Sequence, residues 1–456
     1  MYFNDTISAI STAVGNAGIG IIRLSGKNSI EVADKIFSAS NHETLQNISG
    51  RKIVFGHILD TDGEVLDEVI ILIMRAPKSY TCEDVVEIQC HGGTEVLRNI
   101  LRRTFEAGAR PAERGEFTKR AYLNGRLDIS QAQAVMDVIQ AKTSTALKVA
   151  QTQLAGKSAE NFQELRQKIL ELVAHIEALI DFPEDEIDEL VEQEILTKID
   201  AQLEKISELQ DNQAKGKILR EGLETVIVGK PNVGKSSLLN FLTDTERAIV
   251  TEIPGTTRDT IEEFINVEGI PIKIIDTAGI RNSDNLVEKI GIDKTKNLID
   301  KAQLVLALFD SSTALTEEDF EIFDLIKNKT ALILLTKKDL PQKISVTEIE
   351  KLSAKKIIPI SAKTGDGIKI LEQNIFELVG AIDFENIFIP TEREGNILRK
   401  VAEHLQAAKN SVANHLGIDF VSIDLTAALE NLSELTGGNV TDDIVDKIFS
   451  TFCVGK

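Results

Sequence analysis

The octapeptide Gly229-Lys230-Pro231-Asn232-Val233-Gly234-Lys235-Ser236 limits what this chain can fold into more than any other feature. Its glycines let successive backbone N–H groups turn inward around phosphate oxygens, at the N-terminus of the helix that follows. In such a loop the lysine, here Lys235, reaches the β- and γ-phosphates, and the hydroxyl, here Ser236, binds Mg2+. The preceding residues 225–228 are apolar and β-branched, and 237–242 read as helix, so strand, loop and helix stand in the required order. A glycine-rich turn without a ligand leaves that order unexplained.

Further signals follow in the sequence a guanine-nucleotide site needs. Asp276-Thr277-Ala278-Gly279 comes directly after an apolar run at 272–275. Its aspartate is placed to hold the metal through water, and Gly279 to donate its N–H to the γ-phosphate. Gly255-Thr256-Thr257-Arg258-Asp259 lies between the two loops, where a first switch belongs, and Thr257 is the candidate second Mg2+ ligand. Thr336-Lys337-Lys338-Asp339 closes the strand-like run 331–335. The Asp339 carboxylate can accept two hydrogen bonds from guanine and none from adenine. Ser361-Ala362-Lys363 follows the next strand candidate and supports the guanine carbonyl. The expected nucleotide contacts are Asn232, Val233, Gly234, Lys235, Ser236, Ser237, Thr251, Thr256, Thr257, Asp276, Thr277, Ala278, Gly279, Lys337, Asp339, Ser361, Ala362 and Lys363. Lys235 and Asp276 are also expected to act in the chemistry.

Two residues depart from the common pattern. Thr336 stands where the base-reading motif usually has Asn, so a weaker nucleotide grip is expected. Ile280 follows the Asp-x-x-Gly motif where many regulatory GTPases carry a glutamine that orients the attacking water. Another group must do that here.

The strand candidates 225–228, 272–275, 304–308, 331–335 and 357–360 alternate with helical patterns, which predicts a mainly parallel sheet with helices on both faces over 222–379. Residues 1–120 read as mixed α/β, with strands at 19–24, 53–59, 65–74 and 85–90 and a helix at 94–107. Residues 121–221 and 380–456 read as the two parts of a helical domain that the α/β stretch interrupts. Ser130 with Gln133 gives a helix-start signal. Leu165, Ile169, Leu172, Val173, Ile176, Leu179 and Ile180 put one apolar stripe on a helix that ends at Asp181-Phe182-Pro183. Another helix is expected to run to about Gln213.

The net charge of −21 argues against a protein coated in basic surface for nucleic acid. Arg110, Arg114, Lys119, Arg120 and Arg126 form one local basic cluster, read either as an RNA patch or as a solvated loop and helix start. No apolar run approaches the roughly 18 residues of a membrane-spanning helix, so no membrane insertion is expected. Cys82, Cys90 and Cys453 are too few and scattered for a disulfide framework, which fits a cytoplasmic location.

Across its length the chain resembles the MnmE (TrmE) family of tRNA modification GTPases. The resemblance rests on Gly18-Ile19-Gly20-Ile21-Ile22-Arg23, Glu83-Asp84-Val85-Val86-Glu87, His91-Gly92-Gly93, Arg114-Gly115-Glu116-Phe117, Leu123-Asn124-Gly125-Arg126-Leu127-Asp128 and Ile180-Asp181-Phe182-Pro183. The ending Phe452-Cys453-Val454-Gly455-Lys456 is similar to the family's Phe-Cys-Ile-Gly-Lys.

The resemblance implies K+ in place of an arginine finger, held by Asn232 and by the backbone of Thr251, Ile253 and Thr256. It implies Glu288 as the water-orienting residue; read alone, Glu288 is one carboxylate on a helix. It also implies an N-terminal domain that dimerises and binds a tetrahydrofolate derivative, the 5,10-methylene or 5-formyl form. The matching positions are Arg23, Glu87, Arg126 and Lys456, where the family often has Lys in place of Arg126. A surface salt bridge for Arg23 and an unstructured tail for Lys456 are the plain alternatives. Cys453 falls near that site by the same match, as a catalytic thiol or a packed small residue. The implied partner is the FAD-containing MnmG (GidA) protein in a heterotetramer, and the implied reaction adds an aminomethyl-type group at C5 of the tRNA wobble uridine. The competing expectation is a ribosome-assembly or regulatory GTPase switch without modification activity.

Overall fold

The computed structural model describes residues 5–40, 42–181, 189–244, 248–249, 263–275, 291–379, 388–435 and 442–456. Two seven-stranded sheets and a layer of long helices make up these residues.

The first sheet contains β1 (Ile7–Ile10), β2 (Ala17–Ser25), β3 (Phe37–Ala39), β4 (Lys52–Leu59), β5 (Val65–Met74), β6 (Val85–Gly92) and β7 (Arg110–Pro111). Their order is β3-β4-β5-β6-β2-β1-β7, antiparallel throughout except for the β1–β7 pair. The period-2 alternation sorts the side chains by face. One face packs Ile22, Leu24, Ile71 and Ile88 under α1 (Ser29–Ile36) and α2 (Thr94–Glu106). On the other face the register sets Phe55 opposite Ile70 and Arg23 opposite Glu87. Its Ile53 and Phe55 are 65% and 50% exposed.

The helices α3 (Glu116–Leu123), α4 (Ile129–Gln140), α5 (Ser144–Leu154), α6 (Lys157–Asp181) and α7 (Glu189–Glu221) follow. The stripe on α6 is buried as its spacing requires, at Leu165, Ile169, Leu172 and Ile176. The start of α4 differs from expectation. Asp128 and Gln131 form the capping box, while the Ser130 hydroxyl bonds the buried Glu394 carboxylate instead. A capping pair needs its first residue in extended backbone, and Asp128 has ψ 174. Nor does α7 end near Gln213. It continues through Gly216, where a Cβ would lie 1.8 Å from Ile389 Cγ2, so the glycine admits a neighbouring segment and does not stop the helix.

The second sheet holds β8 (Leu223–Val228), β9 (Ala248–Ile249), β10 (Glu263–Val267), β11 (Ile270–Ile274), β12 (Leu304–Asp310), β13 (Ala331–Thr336) and β14 (Lys356–Pro359). Between them lie α8 (Lys235–Asp244), α9 (Gly291–Lys301), α10 (Glu317–Ile326), α11 (Val346–Leu352) and α12 (Ile368–Val379). The order is β14-β13-β12-β8-β11-β10-β9, with the first five parallel and β10 and β9 antiparallel. Every residue of β12 and β13 is buried, with Leu306 and Leu334 in one core and Ala307 and Ile333 in the other. That is why these strands read as continuous apolar runs.

The chain closes with α13 (Glu392–Ala413), α14 (Ile418–Ser433) and α15 (Asp442–Ser450). Phe162, Ile169 and Ile199 share one core with Leu398, Val401 and Leu425, so helices from both sides of the second sheet in sequence pack together. Val445, Phe449 and Phe452 pack instead on Ile129 and Met136 of α4. Among the described residues no helix is long and apolar enough to cross a membrane.

Candidate functional site

The loop after β8 enters α8 at Lys235 with the geometry its sequence demands. Gly229 has φ +155, and a Cβ there would sit 2.7 Å from Leu308 O, so no other residue fits. Val233 is buried in the core beneath the loop, while Asn232 is exposed with φ +60. The Lys235 ammonium donates to Gly229 O at 2.6 Å and Lys230 O at 2.7 Å, and its burial lowers its pKa. Ser236 and Ser237 occupy the first turn of α8, where the helix end favours an anion. The loop is also pinned from outside. Lys230 Nζ lies 2.6 Å from Asp319 Oδ2 and 3.0 Å from Thr316 Oγ1, at the start of α10.

The residues expected to read the base converge on the same edge of the sheet, at the C-terminal ends of its parallel strands, where such folds bind ligands. Asp339 Oδ1 accepts from Ser361 Oγ at 2.7 Å, and this bond holds the Asp339 carboxyl below the usual carboxylate range. The carboxylate is thus ionised and aimed by the very serine the sequence paired with it. Lys337, with φ +57, reaches Asp310 Oδ2 at 2.6 Å. Ala362 is half-buried and Lys363 exposed on the turn after Ser361. Thr336 modifies the expectation drawn from its missing amide. Its hydroxyl donates to Val233 O at 2.7 Å, with Phe309 O at 3.2 Å, so it ties the end of β13 to the loop after β8. Thr251, Ile253, Thr256, Thr257, Asp276, Thr277, Ala278, Gly279, Ile280 and Glu288 lie outside the described residues.

At the N-terminal sheet, Arg23 Nε meets Glu87 Oε1 at 2.8 Å, with the side chains 16% and 15% exposed, so this pair is largely buried and not a loose surface bridge. Arg23 Nη1 also lies 3.4 Å from Gly455 O. The last residues are docked, not unstructured. Val454 pairs with Arg114, and Ser11 Oγ donates to Gly455 O at 3.0 Å. Burial and the neighbouring Arg23 lower the Lys456 pKa, opposed by Glu87. The Arg23 guanidinium stands 5.6 Å from the Tyr80 ring and Arg126 stands 4.8 Å from the same ring. Arg23 and Arg126 therefore share Tyr80, with Glu87 and Lys456 beside Arg23; sequence reasoning missed Tyr80, since a lone tyrosine in a turn carries no local signal. Cys453 is exposed near this group, and its backbone carbonyl accepts from Gly115 N at 3.3 Å. Cys90, by contrast, is buried and its thiol is pushed up to about 11 by that burial.

The expected basic cluster is mostly consumed inside the fold. Arg120 is fully buried and bonds Asp5, Glu83 and Glu116. Arg110 bonds Asp5 at 2.6 Å and Glu116 at 2.5 Å, and Lys119 bonds Asp446. Those three cations hold the chain around residue 116 together. Sequence spacing alone could not reveal this, because Asp5, Glu83 and Asp446 arrive from distant segments.

Two family models match the chain. One described as the GTP-binding protein TrmE N-terminus covers residues 6–126, and one described as the MnmE helical domain covers residues 129–453. The tRNA modification GTPase MnmE of Alkaliphilus oremlandii (strain OhILAs) is 46% identical over 461 residues, covering 100% of both chains. That of Thermoanaerobacter pseudethanolicus (strain ATCC 33223 / 39E) is 47% identical over 457 residues, covering 99% of each. Among solved structures, the G domain of the T. maritima FeoB iron transporter aligns with 34% of this chain and 97% of that chain, at 27% identity and TM-score 0.27. With full-length identity of this order and both family models matching, the chain belongs to the tRNA modification GTPase MnmE family.

Proposed function

We propose that this protein hydrolyses GTP in the course of modifying tRNA, adding an aminomethyl-type group at C5 of the wobble uridine together with an FAD-containing MnmG-type partner. The observation that carries the GTPase part is the meeting of the phosphate loop, Thr336, Asp339 and Ser361 at one edge of the parallel sheet, joined by the Thr336–Val233 bond. Residues 222–379 act as a G domain set into a helical domain of residues 121–221 and 380–456, behind an N-terminal domain of residues 1–120. The shared core of α6, α7, α13 and α14 supports that division.

Asn232 presents an exposed amide beside the loop, which suits a K+ ligand, with Thr251, Ile253 and Thr256 as the remaining donors. Mg2+ is assigned to Ser236 and Thr257. A K+ ion held by Asn232 and those donors would supply fixed positive charge against the charge that develops on the phosphates. Glu288 orients water in place of Ile280. In the N-terminal domain, a tetrahydrofolate is assigned to Arg23, Glu87, Arg126 and Lys456. A carboxylate suits a pteridine and guanidinium or ammonium groups suit its glutamate tail, so the donor set fits the ligand. These residues border a sheet face with exposed Ile53, Phe55 and Ile70, a surface suited to a homodimer.

The test compares multiple-turnover hydrolysis in K+ and in Na+, alongside wobble-uridine analysis of tRNA from cells lacking the protein. Faster turnover in K+, and tRNA lacking the modification, are expected. Equal rates in both salts remove the ion assignment, and fully modified tRNA removes the modification role in favour of a GTPase switch.

A further inference from the structure

We infer that Lys230 and Asp319 are positioning residues for GTP hydrolysis: their buried ion pair holds the phosphate loop so that its carbonyls aim the Lys235 ammonium at the phosphates. The inference rests on the reading of Lys235 as the lysine that reaches the β- and γ-phosphates. The contacts run inward from α10. Asp319 Oδ2 lies 2.6 Å from Lys230 Nζ, with the two side chains 2% and 15% exposed. Lys230 precedes Pro231, and a proline ring restricts the rotation of the residue before it. Holding the Lys230 side chain therefore also limits where its carbonyl points. That carbonyl and Gly229 O accept from Lys235 Nζ at 2.7 and 2.6 Å. A lysine is a point charge on a flexible four-carbon stem, so the two carbonyls decide where this one sits.

The outer anchor is rigid. Asp319 stands in the first turn of α10, and its Oδ2 accepts from Thr316 N at 2.8 Å, closing the capping box that starts the helix. Four residues on, Phe323 stacks on Phe309 of β12, with ring centroids 4.4 Å apart. Fold stability alone does not account for the carboxylate. A buried ion pair adds little net stability. Here Asp319 Oδ1 is also buried and has no hydrogen-bond partner among the described residues. An acceptor left in that state costs free energy. What the carboxylate contributes is the placement of Lys230, and through it of Lys235.

The test measures steady-state and single-turnover GTP hydrolysis by the full-length protein, together with its melting temperature and its affinity for a fluorescent guanine nucleotide. Lys230→Met and Asp319→Asn are each expected to lower kcat about tenfold while KM changes less than about threefold, because a misaimed cation is missed most where charge develops in the transition state. Lys230→Arg keeps a cation beside Asp319 and is expected to retain most of the turnover. In a Lys235→Ala background, Lys230→Met is expected to cause no further loss of the single-turnover rate, since residues that act as a unit are not additive. Wild-type kcat in Lys230→Met overturns the inference. A comparable further loss in the Lys235→Ala background gives the pair a role apart from Lys235 and overturns it as well. Melting temperature, kcat and nucleotide affinity that fall together, with no recovery in Lys230→Arg, show a pair that only stabilises the fold, which also overturns it. Full turnover by Lys235→Ala alone removes the reading on which the inference rests.

Discussion

Thr336 illustrates how one side chain can be read from sequence as a loss and from structure as a replacement. Its motif position predicts a missing amide, yet its hydroxyl bonds Val233 O across the sheet edge. Replacing it with valine keeps the shape and removes the donor. A buried carbonyl left without its partner costs about 1 to 3 kcal/mol. Because Val233 belongs to the phosphate loop, part of that cost is expected as weaker binding of GDP and GTP alike. Titration with a fluorescent guanine nucleotide measures it, and equal affinity for Thr336→Val and wild type shows that the tether does not shape the loop. Asp339 and Ser361 were legible because both stand at strand ends in a fixed order. The Lys230–Asp319 pair was not, because its partner sits 89 positions away and nothing local marks it.

At the scale of elements, the Asp5, Glu83, Glu116, Arg110 and Arg120 network joins β1's leading residues, the turn before β6 and α3. Burial alone raises the Asp5 and Glu116 carboxyls, but the bonds from Arg110 and Arg120 outweigh it and leave both below their ordinary values. Depressed folded-state values mean stability that is present above the unfolded carboxyl range and lost as pH falls through it. The urea midpoint is therefore expected to fall between pH 6 and pH 3.5, from about the ordinary Glu value of 4.3 downward. Arg110→Ala is expected to flatten that dependence, and an equally steep decline in the variant shows that other carboxylates cause it. The C-terminal tail is a second element whose placement was undecided in the sequence. Gly455 has φ +93, and a Cβ there would come within 2.2 Å of Ile10 O. Gly455→Ala is expected to undock the tail, release Lys456 to carboxypeptidase and abolish tRNA modification while GTP hydrolysis continues. A protected terminus with normal modification shows that the tail tolerates the change. The elements themselves were largely readable, since period-2 and period-3.6 patterns follow directly from which face is buried. Their ends were less so: Asp128, not Ser130, caps α4, because the choice depends on the distant Glu394.

For the whole molecule, the question is how the second sheet is joined to the helices that lie between it and the N-terminal sheet in sequence. Covalent linkage is continuous from α7 into β8, but the packing adds a second joint. Lys142, in the turn between α4 and α5, places its ammonium 3.1 Å from the centroid of the Phe264 ring in β10. Phe264 is itself buried, and Gly222 leaves room for its ring, since a Cβ there would lie 2.9 Å from Phe264 Cε1. On the same hairpin, a Cβ on Gly269 would come within 2.2 Å of Thr145 Oγ1 at the start of α5. The edge hairpin of the second sheet is thus seated on the α4–α5 turn, and β10 directly follows the stretch in which the first switch is expected. A cation over an aromatic face contributes about 0.5 to 2 kcal/mol. Lys142→Ala with Thr145→Ala removes that term and the close contact without touching the phosphate loop. If this seat couples the two parts, the variant's calorimetric trace is expected to separate into two transitions. The first should fall by about 2 to 4 °C for each kcal/mol lost. Wild-type and variant traces that superimpose show that the sheet is held by its covalent connections alone, and a signal from the nucleotide must then reach the N-terminal domain by another route.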